Sequence, residues 1–173
     1  MEKTFKSLLI NELSDLLSAE RQIVEAMPEM IRASESPDLK HALESHLVET
    51  KTHVERLEKI FDILNVKREE KFCPAMKGLI EECKSVLHDF RSKSSLCDVL
   101  IISKAQRITH YGIAAYGTAR TFAREMELGK VADLLQASLD EEGNADKKLT
   151  KIAEGGLLKS GINQQAKALT AQR

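Results

Sequence analysis

Tryptophan is absent from this chain of 173 residues, which has only two tyrosines and five phenylalanines. Any core must therefore be packed from aliphatic side chains. Proline and glycine are also sparse, at three and eight residues, and most fall where a helix should start or stop. No stretch alternates β-branched and polar residues, so no sheet is expected. The three cysteines, Cys73, Cys83 and Cys97, form no C-x-x-C pair, which excludes a disulfide framework and a zinc site and leaves reduced, partly buried thiols. The formal net charge is -1 with both signs interspersed, so the basic stripe of a nucleic-acid surface is missing. Asn11, Glu12 and Asp15 interrupt the first apolar run, which therefore reads as neither signal peptide nor membrane span. Cytoplasmic residence follows as the expectation, with no membrane or nucleic-acid partner.

What is present is helix-forming. Leu, Ile, Ala, Lys and Glu dominate, the residues that lose least on entering a helix. A first long helix is predicted from about 2 to about 34, with Leu9, Leu13, Leu16, Leu17, Ile23, Val24 and Met27 on one stripe and a bend or local adjustment at Pro28. Ser36-Pro37-Asp38 reads as an N-cap, a first-turn proline and a first-turn acid, opening a second helix to about 64. A charged connector from Lys67 to Lys71 leads to a shorter helix opened by Pro74, and Lys93-Ser94-Ser95 closes it. Ser95 with Asp98 suggests a cap for the third long helix, ending near Leu128 at Gly129 as a left-handed stop. The fourth follows at once and ends at Gly155-Gly156. Two antiparallel hairpins joined by one long crossover form an all-α, ferritin-like four-helix bundle with a short fifth helix. The bundle is assigned to 1–156 and a polar C-terminal tail to 157–173.

A bundle of this topology holds metal with acids and histidines that share a level and a face. Glu20 lies inside the apolar stripe of the first long helix. His46, Glu49 and His53 share one face of the second, since offsets of three and four residues return to the same side. Glu142 and Asp146 repeat that spacing on the fourth. These positions fall at comparable separations from the two hairpin turns. The third long helix does not answer: from Val99 through Arg124 it has no acid, and Thr109, His110, Gly112 and Ile113 occupy the matching level. His110 points away from the inward direction.

Several segments carry a family likeness. Asp15 to Gln22, Ser36 to Leu39, His46 to Thr50, Cys73 to Glu82, Ala105 to Tyr111, Ile113 to Thr118 and Asp140 to Thr150 resemble the YciE/YciF family of ferritin-like proteins, in order over roughly residues 5 to 153. The resemblance implies a dimeric ferritin-like bundle, a role in bacterial stress responses and a di-iron-type carboxylate site. It supports Glu20, Glu49, Glu142 and Asp146 as metal positions, with His53 where the family often has Gln. It also exposes a departure. Where the family reads like Glu-His-Tyr-Glu-Ile-Ala, this chain reads Thr109-His110-Tyr111-Gly112-Ile113-Ala114, and both acids are gone.

The expected metal set is therefore Glu20, Glu49, His53, Glu142 and Asp146, holding a single iron, zinc or manganese ion rather than two, with Tyr116 hydrogen-bonded to a ligand. The competing expectation is a metal-free structural or interaction homodimer in which Glu20, Glu49 and Glu142 share protons or pair with His46 and His53. Neither expectation names a small-molecule substrate.

Overall fold

The computed structural model describes residues 4–68, 71–90, 94–156 and 159–171. The expected helix start at Glu2, the connector acids Glu69 and Glu70, Lys93, and Leu157 and Arg173 of the tail lie outside the described residues. Among the described residues six helices form: α1 (Phe5–Ala33), α2 (Pro37–Leu64), α3 (Pro74–Asp89), α4 (Ser95–Glu125), α5 (Gly129–Glu154) and α6 (Ile162–Thr170). None is long and apolar enough to cross a membrane.

Local chemistry sets the boundaries. The Thr4 hydroxyl accepts from the Ser7 amide at 3.1 Å and the Ser7 hydroxyl accepts from the Thr4 amide at 3.0 Å, a reciprocal cap that opens α1. The helix continues through Pro28, which has no amide hydrogen to donate. Ser36 caps α2 with Pro37 at the first helical position, as the sequence suggested.

Two boundaries differ from expectation. Ser94, not Ser95, caps α4 and accepts from the Cys97 amide. Asp98 is engaged elsewhere: buried, it accepts from the Glu35 and Ser36 amides at 2.9 and 2.8 Å and so closes the α1–α2 turn. The left-handed residue after α4 is Glu127 (φ 57), not Gly129, which instead begins α5. Leu128 N–H reaches the Ala123 carbonyl and Glu127 N–H the Arg124 carbonyl, a Schellman closure that fixes the turn two residues early.

α1 and α2 pack as one hairpin and α4 and α5 as the other; α1 also meets α4, and α2 meets α5. The crossover helix α3 lies over α1 and α4. Cys73 anchors its start, donating its thiol to Asp15 at 3.2 Å and its amide to Ser18 at 3.0 Å, while Tyr111 also donates to Asp15. All three cysteines are free and buried. The expected polar tail instead carries α6, whose Ile162 and Ala166 are buried against α4 and α5. The chain reverses there because Gly161 has no side chain: a β-carbon would sit 2.3 Å from the Ala153 carbonyl oxygen.

The interior has two apolar ends. Leu9, Leu13, Leu57, Phe61, Ala119 and Leu135 fill one; Leu39, Leu43, Ile101, Ile102, Leu149 and Ile162 fill the other. Between them the α1, α2 and α5 faces turn polar, while Ala19, Ile23, Met76, Ile80 and Ile108 form a third apolar cluster under α3.

Candidate metal centre

Glu20 of α1, His53 of α2 and Glu142 of α5 meet in that middle layer, 2%, 0% and 1% exposed. One ligand-type atom from each lies within 4.8 Å of the others. His53 Nδ1 is 3.2 Å from Glu20 Oε1 and 3.4 Å from Glu142 Oε1, while its Nε2 is 2.8 Å from Glu141 Oε2. Arg56 grips Glu141 with both terminal nitrogens, at 2.5 and 2.7 Å. His46 Nε2 lies 3.3 Å from Glu142 Oε1. From α4, the buried Tyr116 hydroxyl donates to Glu20 Oε1 at 2.7 Å.

Charge balance explains how such a layer survives burial, where an unpaired charge is prohibitive. Three acids, Glu20, Glu141 and Glu142, face two imidazoles and one guanidinium. Burial alone would push His53 down, but its bonds to Glu142 and Glu20 outweigh it and raise the ring to about 10. His46 is raised by Glu142 against the same opposing burial. Burial pushes Glu142 up, and the two imidazoles more than reverse this, leaving it below the usual carboxylate range. Arg56 holds Glu141 below that range as well. Burial beside Glu20 drives the Tyr116 hydroxyl well above its ordinary value, so it remains a donor.

Two buried oxygens are left over. Among the described residues, neither Glu20 Oε2 nor Glu142 Oε2 has a hydrogen-bond partner. Buried polar atoms are nearly always satisfied, and two orphans from facing carboxylates are a group that could hold a cation. The donor set fits one: two carboxylate oxygens and an imidazole nitrogen neutralise and orient a divalent transition-metal ion. Glu141 already takes the other ring nitrogen of His53, the outer contact that fixes a metal-binding imidazole's tautomer.

Of the five metal residues expected from sequence, Glu20, His53 and Glu142 converge, and Glu49 and Asp146 do not join them. Glu49 is half-buried on the wall of a cleft between α2 and α5. Asp146 accepts from Gln106 at 3.1 Å and pairs with the exposed His110, 3.2 Å away. The expected gap on the third long helix is present. Thr109 is buried with its hydroxyl turned back to the Gln106 carbonyl, and Gly112 faces Glu142. Tyr116 does hydrogen-bond a candidate ligand. Glu141 and Arg56 were missed, because an acid run such as Asp140-Glu141-Glu142 usually faces solvent. The available signal was Arg56 one turn beyond His53, on the same face of α2.

The family model described as "Domain of unknown function (DUF892)" matches residues 4–167. Protein YciF of Escherichia coli (strain K12) is 37% identical over 163 residues, covering 94% of this chain and 98% of that protein. The crystal structure of the E. coli stress protein YciF superposes with a TM-score of 0.83, covering 86% of this chain and 94% of that one. YcfI from Rhodopseudomonas palustris gives the same TM-score at 37% identity, over 87% of this chain and 96% of that one. A protein of Xanthomonas campestris pv. campestris, 18% identical with a TM-score of 0.68, shares the fold alone.

Proposed function

This chain belongs to the DUF892 family, and from that membership and the buried donor cluster we propose that it is a ferritin-like stress-response protein holding one divalent transition-metal ion between Glu20, His53 and Glu142. The observation that carries the reading is the pair of orphaned oxygens, Glu20 Oε2 and Glu142 Oε2. The stress role follows the description of the E. coli relative as a stress protein. Iron, manganese and zinc all suit a mixed carboxylate and imidazole set. Such an ion supplies Lewis acidity when bound and, as iron or manganese, one-electron redox chemistry.

The chain's own residues have separate tasks. Glu20 and Glu142 offer charge and oxygen donors. His53 offers Nδ1, while Glu141, itself clamped by Arg56, takes the proton on Nε2. Tyr116 holds Glu20 Oε1 in place and leaves Oε2 available. One ion is favoured over two because α4 brings Thr109 and Gly112 where further acids would be needed.

A metal-free interaction protein is the second reading, favoured by the imidazole–carboxylate pairs that neutralise the layer without an ion. Elemental analysis of full-length protein purified without chelator, followed by cobalt(II) titration and an anomalous difference map from soaked crystals, separates the two. The metal reading expects about one ion per chain and its loss in the double variant Glu20→Gln/Glu142→Gln. No spectrum and no density under saturating metal leave the metal-free reading standing.

A further inference from the structure

The centre leaves His46 and Glu49 without a coordinating role, and it leaves a buried ion without a way in. Every candidate ligand is almost fully enclosed. A hydrated cation has to exchange its water for protein donors in steps, since a bare charge crossing an apolar wall is prohibitive. Two stretches of the α2–α5 seam that carry polar side chains approach the centre. One is the Arg56–Glu141 pair, which is locked bidentately and presents a guanidinium to any arriving cation. The other is a cleft of about 70 Å³ whose wall combines the apolar Ala42, Leu43, Ala145 and Leu149 with the polar His46, Glu49 and Lys148. That volume exceeds the roughly 10–15 Å³ one water needs.

His46 joins this cleft to the centre. Its ring lines the cleft, and its Nε2 stands 3.3 Å from Glu142 Oε1. Glu49 lies three residues further along α2, half-buried on the same wall, with no hydrogen bond or close ion pair among the described residues, though its charge reaches Arg56. We infer that this cleft is the ion's entry route, with Glu49 as the outer docking carboxylate and His46, whose ring stands between the cleft and Glu142, as the side chain the ion must pass. The inference rests on the metal reading above and adds to it a path and two residues. Lys148, on the opposite wall, acts as a brake by repelling cations at the mouth.

The path makes predictions of opposite sign. Metal-free full-length protein is mixed with cobalt(II) in a stopped-flow instrument, and the ligand-field absorption reports loading. Glu49→Gln is expected to slow association by about fivefold, since one charge supplies part of the roughly 10–10³-fold that electrostatic steering can give, and raising salt should shrink the difference. Dissociation should slow by a similar factor, leaving Kd within about twofold, because a route changes rates and not the end state. Lys148→Gln is expected to load faster than wild type, a gain that a folding defect cannot produce. Ala145→Leu, which narrows the cleft, should slow both directions. Wild-type rates in all three variants overturn the route while leaving the metal reading intact. A large loss of affinity in Glu49→Gln at unchanged association rate also overturns it, making Glu49 a ligand. A wild-type protein that binds no cobalt overturns both readings.

Discussion

Glu142 occupies the space that a side chain at Gly112 would fill. A β-carbon on Gly112 would lie 2.9 Å from Glu142 Cδ, closer than real β-carbons approach their neighbours, and a tight 3.2 Å from its Oε2. The missing acid on α4 is thus also room for the acid on α5.

Gly112→Ala separates local helix preference from the centre. Alanine is favoured over glycine in a helix interior by about 1 kcal/mol. The same methyl group displaces Glu142 from its position. Cobalt(II) affinity is expected to fall by about tenfold or more while the helical circular dichroism spectrum is retained, since each 1.4 kcal/mol lost is a factor of ten. Unchanged affinity would show that Glu142 does not need this space.

Glu141→Gln tests the outer contact to His53. Glutamine keeps an acceptor for the ring but removes the charge that favours Nε2–H. Outer partners of metal-bound histidines typically contribute about 10–100-fold in affinity, and a loss in that range is expected by calorimetric titration. A change below twofold would remove Glu141 from the centre.

Asp98→Ala leaves the Glu35 and Ser36 amides without their acceptor. A hydrogen bond to a charged group contributes about 1.5–3 kcal/mol, and these two are only partly buried, so a loss of about 2–4 kcal/mol is expected in urea unfolding. Asp98→Asn, with one carbonyl oxygen, should lose less. Equal losses in the two variants would point to packing rather than to the two hydrogen bonds.

Asp15 gives the fold a pH-dependent contribution from outside the candidate metal centre. Burial pushes it up, but hydrogen bonds from Tyr111, Cys73 and Lys71 outweigh this and hold it below its ordinary 3.8. A carboxyl depressed in the folded state stabilises above its unfolded value and loses that contribution as pH falls through the folded one. Asp15→Asn should therefore be less stable than wild type at neutral pH, and the gap should close below pH 3.8. A gap that stays constant down the titration would assign the effect to shape alone.

The bundle could be read from the sequence because its signals are local. Ser36-Pro37 opens α2 and Cys73-Pro74 opens α3 wherever the rest of the chain goes. The level shared by Glu20, His53 and Glu142 followed from helical spacing and hairpin symmetry. Features that depended on a distant partner did not. Gly129 is the better left-handed residue on intrinsic grounds, yet Glu127 takes that role because the Leu128 amide finds the Ala123 carbonyl. Asp98 looked like the acid of its own helix cap and serves another turn. Residues 157–173 looked polar throughout, since α6 exposes most of its length and buries only Ile162 and Ala166. Glu49 and Asp146 shared a face with true members of the cluster. Periodicity does not encode that Gln106 and His110 engage Asp146, or that Glu49 lines the neighbouring cleft.

The turn that Asp98 closes also orders events in time. The hairpin of α1 and α2 is synthesised first, but the carboxylate that satisfies its turn lies 62 and 63 positions further along. Until the ribosome has released the start of α4, the Glu35 and Ser36 amides have only water to bind. The first hairpin is thus left with an unfinished bend during translation, and the arrival of the second half completes it. Assembly of this bundle is accordingly a joint event between its halves.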